Sequence, residues 1–113
     1  MRKRELKKVY PLLDVLARLN TNDRKTVIKF LNDQGYEAIY ECIYNGLDNN
    51  DVSTTDRKFL RKGLLKDQNI YRQLLLGSRV TKRKKKHIEQ VGGSLGLLLA
   101  TVLPILSNFL STK

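Results

Sequence analysis

Residues 36–47 read YEAIYECIYNGL, and this stretch carries the clearest periodicity of the 113-residue chain. Its apolar side chains recur at spacings of three and four, which places them in one stripe along a helix: Tyr36, Ile39, Tyr40, Ile43, Tyr44 and Leu47. A stripe of this kind is most often the buried face of a helix, so we expect these side chains to pack in a core. Gly46 and the polar residues 48–51 predict that the helix ends in a loop.

Helical periodicity extends from this stretch in both directions. Residues 21–23 supply an N-cap cluster for one further helix, and residues 53–56 supply another. Pro11 is expected only near a helix start or at a kink, and residues 70–75 continue the pattern until Gly77. An N-terminal helix is predicted by one apolar set: Leu6, Val9, Tyr10, Leu13, Leu16 and Ala17. No useful run alternates with a period of two, so the sequence predicts an all-α fold, a small helical bundle.

Gly35 leaves one helix boundary open. As the left-handed residue after a helix end, it would separate two short helices. Inside one helix from about residue 23 to residue 45, it would cost roughly 1 kcal/mol relative to alanine. The second arrangement gives the short–long–short helix order of a histone fold across residues 11–66. The sequence favours separate helices, with the histone-like order as the alternative.

Composition narrows the class of protein. The chain has 22 Lys plus Arg against 11 Asp plus Glu, a net charge of +11, which points to a polyanionic partner such as nucleic acid or an acidic membrane. A single cysteine, Cys42, excludes an internal disulfide framework and a cysteine-based zinc site. One histidine, His87, leaves little material for a metal site or a nucleophile–base pair. We therefore expect a protein that is not an enzyme, with no cofactor and no metal.

Charge and hydropathy divide the chain into three segments. Residues 1–78 form the expected helical domain, residues 79–90 a basic segment, and residues 91–113 an apolar segment rich in Gly and Leu. Within the first segment, residues 30–56 contain six acids and no Lys or Arg. An acidic middle between basic ends would suit a protein that self-associates, and a solvated acidic face explains it equally well.

The basic segment carries the first functional prediction. Residues 81–87 read TKRKKKH, and we expect none of the five consecutive cations to be buried. Such a run binds phosphate backbones through counterion release without reading bases, and it also matches a nuclear-localisation cluster read by an import receptor. The alternative is a solvated linker. With the N-terminal cations it forms the predicted nucleic-acid-binding set: Arg2, Lys3, Arg4, Arg79, Lys82, Arg83, Lys84, Lys85 and Lys86.

The C-terminal stretch carries the second functional prediction. Residues 90–112 contain no formal charge, and their length makes them a transmembrane candidate, although Pro104 interrupts the helix. The other interpretations are a buried packing helix, a self-association segment and an interfacial membrane-active peptide. Small residues at every fourth position and the leucines beside them form the predicted self-association or membrane set: Gly92, Gly96, Ala100, Leu97, Leu98, Leu103 and Leu106.

The order of these segments resembles a family of viral core proteins. A lysine run, the sequence IEQVGG at 88–93 and an apolar tail broken by Pro104 are similar to the small basic core proteins of adenovirus-related double-stranded DNA viruses. Residues 82–106 are similar to adenoviral core protein X (mu), which is arginine-dominated and lacks the helical front part.

A longer stretch, residues 10–110, resembles proteins of Maverick/Polinton elements and adintoviruses. The resemblance lies in ECIYN at 41–45, in YRQL at 71–74, and in the lysine run joined to QVGG at 90–93. It implies packaging, in which the protein neutralises and condenses a linear duplex genome, and a location in the host nucleus and the virion core. It gives the helical front domain no role of its own.

The sequence thus leads to one principal expectation and two alternatives. We expect a sequence-independent protein that binds and condenses double-stranded DNA (or RNA), forms homo-oligomers and is intracellular, since the N-terminus lacks the apolar run of a secretory signal. The first alternative is a membrane-active or tail-anchored protein that uses residues 91–113. The second is a helical interaction adaptor with a nuclear-localisation cluster.

Overall fold

The structure, a computed structural model, describes residues 2–48, 52–77 and 80–111. Within these ranges the chain is helical and forms no strand, which confirms the predicted all-α bundle. A 3₁₀ turn, Leu65–Asp67, joins the fourth and fifth helices. The α-helices are numbered in chain order: α1 (Lys3–Arg18), α2 (Thr21–Lys29), α3 (Asp33–Asp48), α4 (Thr54–Gly63), α5 (Gln68–Leu74), α6 (Lys82–Gln90) and α7 (Leu95–Ser111).

Side-chain caps explain where three of the helices begin. At α2, Asn20 Oδ1 accepts a hydrogen bond from the amide of Asp23 (2.8 Å), so the cap lies just before the predicted cluster. At α4, Ser53 Oγ accepts from the amide of Asp56 (3.1 Å), inside the predicted cluster. Thr81 caps α6 in the same way. Each bond satisfies an amide that has no partner within its helix, so these polar residues fix the helix boundaries.

The segment between α2 and α3 settles the boundary at Gly35. α2 ends at Lys29 and α3 begins at Asp33, so the two helices are separate and the single long helix of a histone-like order is not formed. Gly35 lies in the first turn of α3, where its amide donates to Asn32 Oδ1 (2.9 Å). The break therefore comes before Gly35, and the side chain of Asn32 starts the new helix.

Two prolines expected to bend or interrupt helices lie inside them, Pro11 in α1 and Pro104 in α7, so the predicted interruption at Pro104 is wrong. α3 continues through Gly46 and ends at Asp48, within the stretch predicted to end it, and residues 49–51 lie outside the described residues. A Cβ atom at Gly46 would lie 2.8 Å from Cγ2 of Val102, which shows that the glycine is needed for the close approach of α3 to α7. Pro11 lies in the interior of α1 rather than near its start. It is exposed, so water can satisfy the carbonyl that loses its helical partner.

α7 is the central helix of the hydrophobic core. It packs against α1, α3 and α4. α1 runs antiparallel to it: Lys3 Nζ lies 5.2 Å from the centroid of the Phe109 ring, and Tyr10 OH donates to the carbonyl of Leu103 (3.4 Å). The buried side chains of α7 are Leu95, Leu98, Leu99, Val102, Leu103, Leu106 and Leu110. In the structure, the apolar segment therefore forms a buried packing helix, which is one of the interpretations given above.

α6 turns away from α7 at an angle of 104° and packs against α2, α3 and α5. The junction is filled by Arg24 of α2, which is only 6% exposed. Its guanidinium donates to the carbonyls of Leu16 (2.8 Å), Leu19 and Gly93 (3.0 Å). One side chain therefore joins the C-terminal end of α1 to the turn between α6 and α7.

Candidate nucleic-acid interface

The basic helix α6 lies with one face against α3, and Lys84 is on that face. Its ammonium lies 4.5 Å from the ring centroid of Tyr40 and donates to Tyr40 OH (3.3 Å) and to the carbonyl of Gly77 (3.4 Å). Lys84 is 8% exposed, so the prediction that no cation of the run is buried is wrong at this position. The ring face and the two oxygens replace the water that the ammonium loses.

Two further residues of α6, Lys85 and Glu89, hold it on α3. Lys85 pairs with Asp33, and its Nζ lies 5.6 Å from the ring centroid of Tyr36. Tyr36 donates its hydroxyl to Glu89 Oε1 (3.0 Å). Burial of the ring, this hydrogen bond and the charge of Glu89 raise the pKa of Tyr36 to about 12, so the phenol remains a donor at neutral pH. Lys84 and Lys85 thus make their principal contacts within the chain.

The other cations of the run face solvent. Lys82, Arg83 and Lys86 are all exposed, and we call them the α6 cluster. Since successive residues of an α-helix are rotated by about 100°, the three lie within an arc of about 100° on one side of α6. Arg79, also predicted to bind nucleic acid, lies outside the described residues. The run of five therefore presents three cations on its solvent side.

A second group of cations lies at the start of α1. Lys3 is half-buried because its ammonium lies over the ring of Phe109 at the far end of α7. That contact fixes the N-terminal end of α1, and the cations around it point outward. Those that are exposed, which we call the α1 cluster, are Arg2, Arg4, Lys7 and Lys8.

The two clusters lie on helices that meet α7 at its opposite ends. The α1 cluster is beside Phe109, whereas α6 ends at the turn that precedes Leu95. An α-helix rises 1.5 Å per residue, so these two residues of α7 are about 21 Å apart. The Debye length at physiological ionic strength is about 8 Å, so charges at the two ends interact only weakly through solvent. Each cluster can therefore engage a polyanion without the other.

A third basic surface was not predicted from the sequence. Lys58, Lys62 and Lys66 are exposed along α4 and the 3₁₀ turn, and Phe59 is exposed beside them. We call these four residues the α4 face. Its lysines are not consecutive, so a search for charge runs misses them. Their spacing of four residues is the signal that could have found them, since residues four apart share one side of a helix.

The predicted self-association or membrane residues lie mainly inside the molecule. Leu98, Leu103 and Leu106 belong to the core. The two glycines face α2: Gly92 is buried against Ile28 and Lys25, and Gly96 lies against Arg24. Leu97 is half-buried, and Ala100 is exposed. The small residues of this segment therefore accommodate α2 and its arginine rather than a second copy of α7.

The described ranges offer little support for a metal site, a reactive cysteine or a single-helix membrane span. Residues 2–48, 52–77 and 80–111 contain no group of three His, Cys, Asp or Glu side chains placed to hold a metal ion. Cys42 is fully buried, and burial raises the pKa of its thiol to about 12. In these ranges no single helix has the length and apolarity of a membrane span, whereas α6 and α7 reach them together across their bend.

The described surface thus offers three separate groups of exposed cations on a helical scaffold. Such groups can bind phosphates by releasing the counterions that condense on a nucleic acid. The α1 and α6 clusters lie on helices that meet α7 at its opposite ends, and the α4 face adds an aromatic ring to its lysines. The sequence matches no protein-family model and no curated protein, and no solved structure matches the fold.

Proposed function

We propose that this chain binds nucleic-acid backbones without sequence preference and brings two duplex segments together, as a condensing protein does. The observation that carries the proposal is the placement of the α1 and α6 clusters on two helices that meet α7 at its opposite ends. Neutralising charge at a single site coats a duplex, whereas two separated sites on one chain can bridge two duplexes. A core of packed helices keeps the two sites apart.

The docking of α6 supports this proposal. Lys84 and Lys85 hold the helix on α3, so the α6 cluster projects from a fixed surface rather than from a flexible tail. A fixed cluster loses less conformational entropy on binding than a disordered lysine run would. The chemistry of the cluster is that of backbone contact, because lysines supply point charges that neutralise phosphates.

The proposal agrees with the packaging role that the resemblance to viral core proteins implies. In that role the protein is not an enzyme, and it acts on a duplex genome in the nucleus and in the virion. Homo-oligomers would add to the bridging. The membrane alternative has less support, because α7 must leave the core, and expose its buried leucines and valine, before it can enter lipid.

The salt dependence of duplex binding tests the proposal. The variants replace a whole cluster by glutamine: Lys82, Arg83 and Lys86 in one chain, and Arg2, Arg4, Lys7 and Lys8 in the other. Each phosphate contact contributes about −0.9 to the slope of log K against log salt, so the first variant should reduce the slope by up to about 2.7 and the second by up to about 3.6. All replaced side chains are exposed, so the fold should survive.

A matched control removes three exposed cations outside both clusters, Arg18, Lys29 and Arg72. If the control reduces the slope as much as the α6 variant does, the chain has no defined interface and the proposal is wrong. Bridging is measured by energy transfer between two differently labelled duplexes. The native chain should bring them together, and either cluster variant should bind duplex but lose the transfer.

A further inference from the structure

The α4 face combines three lysines with an exposed aromatic ring. On the inner side of α4, Leu60 is fully buried and Leu64 is 4% exposed. On the outer side, Phe59 is 57% exposed, Lys62 lies three residues further along α4, and Lys66 follows in the 3₁₀ turn after the helix ends. Helical geometry places Lys62 on one side of the ring and Asp56, three residues before it, on the other. The ring therefore lies in water with a lysine within one turn.

Phe59 is exposed on its face, and the half-buried Leu97 of α7 packs against Gly63, one turn further on. Leu65, which is also exposed, lines the separate groove between α4 and α5 together with Arg61 and Tyr71. A lipid surface requires a broad apolar side on a helix, whereas here one exposed ring has a lysine within one turn. One ring is enough to stack one nucleobase, and the lysines can hold neighbouring phosphates of the same strand.

We propose that the α4 face binds single-stranded nucleic acid, with one unpaired base stacked on Phe59 and the backbone held by Lys58, Lys62 and Lys66. Bases of a duplex are stacked on one another and do not offer a face to this ring, so the site is selective for unpaired strands. The inference goes beyond the proposed function, because it adds a second kind of ligand, at a surface that the α1 and α6 clusters do not share.

The length of the site fits a few nucleotides. Lys58 and Lys62 are four residues apart, which is about 6 Å along the helix. Lys66 follows in the 3₁₀ turn, so the three lysines can contact more than one phosphate of a bound strand. Asp56, at the start of α4, limits the positive surface at that end.

The chain contains no tryptophan, so Phe59→Trp places a single fluorescent indole at the site. We expect titration with a single-stranded 15-mer of thymidine to quench its emission strongly, because a stacked base quenches indole. A 15-base-pair duplex should bind but leave the emission nearly unchanged. The matched control is Tyr44→Trp. Tyr44 is 43% exposed on α3 and shares its face with Glu37 and Glu41, so its indole should not be quenched.

Affinity supplies the second readout, measured by anisotropy of the labelled 15-mer. Phe59→Leu keeps the apolar bulk and removes the aromatic face, and at an exposed position it should not affect folding. We expect it to weaken binding of the single strand by about 5- to 150-fold, the usual range for loss of one stacked base, and to leave duplex binding unchanged.

Three results would overturn the inference: a single strand that does not bind, binding without quenching at position 59, or equal affinity of the native chain and Phe59→Leu. A blue shift of the introduced indole on vesicles of phosphatidylcholine and phosphatidylserine, without quenching by the single strand, would assign the face to a membrane instead. The proposed function would be refuted by a different result, which is that the native chain shows no salt-dependent binding of duplex.

Discussion

Arg24 gives the sharpest test of how this fold is held together. The guanidinium is buried between the C-terminal end of α1 and the turn after α6, and it donates to the carbonyls of Leu16, Leu19 and Gly93. Burial lowers the pKa of Arg24, yet an arginine keeps its charge in a protein. This cation therefore faces the C-terminal end of α1, whose carbonyls carry partial negative charge, and a carbonyl of the turn after α6.

Replacing Arg24 by alanine should destabilise the protein by about 3 kcal/mol. Each hydrogen bond from a charged donor is worth about 1.5–3 kcal/mol, and three of them are lost. Part of this loss is offset in the variant, because the charge is no longer buried and its burial costs several kcal/mol. For a domain of this size, 3 kcal/mol corresponds to a fall in Tm of about 12 °C. Thermal and urea unfolding, followed by circular dichroism at 222 nm, measure the loss.

The decisive experiment couples Arg24 to Gly96. A Cβ atom at Gly96 would overlap the guanidinium of Arg24, so Gly96→Ala alone should cost about 1–3 kcal/mol. In the Arg24→Ala background the space is free, and the same change should be neutral or stabilise by up to about 1 kcal/mol through helix propensity. The effect of one substitution thus changes sign with the other. A coupling energy below about 0.5 kcal/mol would mean that the two residues act independently, and would refute this account of the junction.

Three further predictions concern the helix contacts. Lys84→Gln should lower stability by about 1–2 kcal/mol through loss of the cation–π contact and its hydrogen bonds. Because Lys84 is buried, the salt slope of duplex binding should not change. A smaller slope would contradict the conclusion that Lys84 holds α6 on α3 rather than binding phosphate. Gly46→Ala should cost about 1–3 kcal/mol in urea unfolding because the new methyl meets Val102; unchanged stability would show that α3 and α7 can separate at no cost. Tyr36 has a pKa raised to about 12, so its stabilising contribution is present below pH 10 and is lost as pH rises through 12. Stability should therefore fall less steeply over that interval in Tyr36→Phe, and equal slopes would argue against this titration.

Periodicity predicted α3 well because its buried side is apolar. Tyr36, Ile39 and Tyr40 are buried as expected, whereas Tyr44 is 43% exposed. The buried part of α3 does not coincide with the predicted stripe. It extends to a second side of the helix, where Ala38, Cys42 and Gly46 are buried at every fourth position. Small residues at this spacing allow close helix packing, and the sequence predicts such a face in residues 92–100. The pattern that brings these helices together lies instead on α3, on the side where Gly46 meets Val102.

The burial of two cations could not be predicted from local sequence. Arg24 takes its partners from backbone carbonyls, which every residue possesses, so no particular residue type signals the contact. Lys84 contacts the carbonyl of Gly77 and the side chain of Tyr40, which is 44 residues away. Gly93, which accepts from Arg24, is 69 residues away in the chain. Composition therefore indicated a polyanion-binding protein, while the division of its cations between core and surface required the tertiary structure.

The pairing of α1 with α7 bears on the order in which the chain can fold. Tyr10 and Leu103 are 93 residues apart, and among the described residues the contact between their helices is the most extensive helix pairing. Contacts of such long range form slowly, since closing a long loop costs entropy before the contact is gained. During synthesis α1 emerges well before its partner and must wait with its apolar side uncovered. A nascent chain that stops before α7 would keep that side exposed, which favours aggregation over folding.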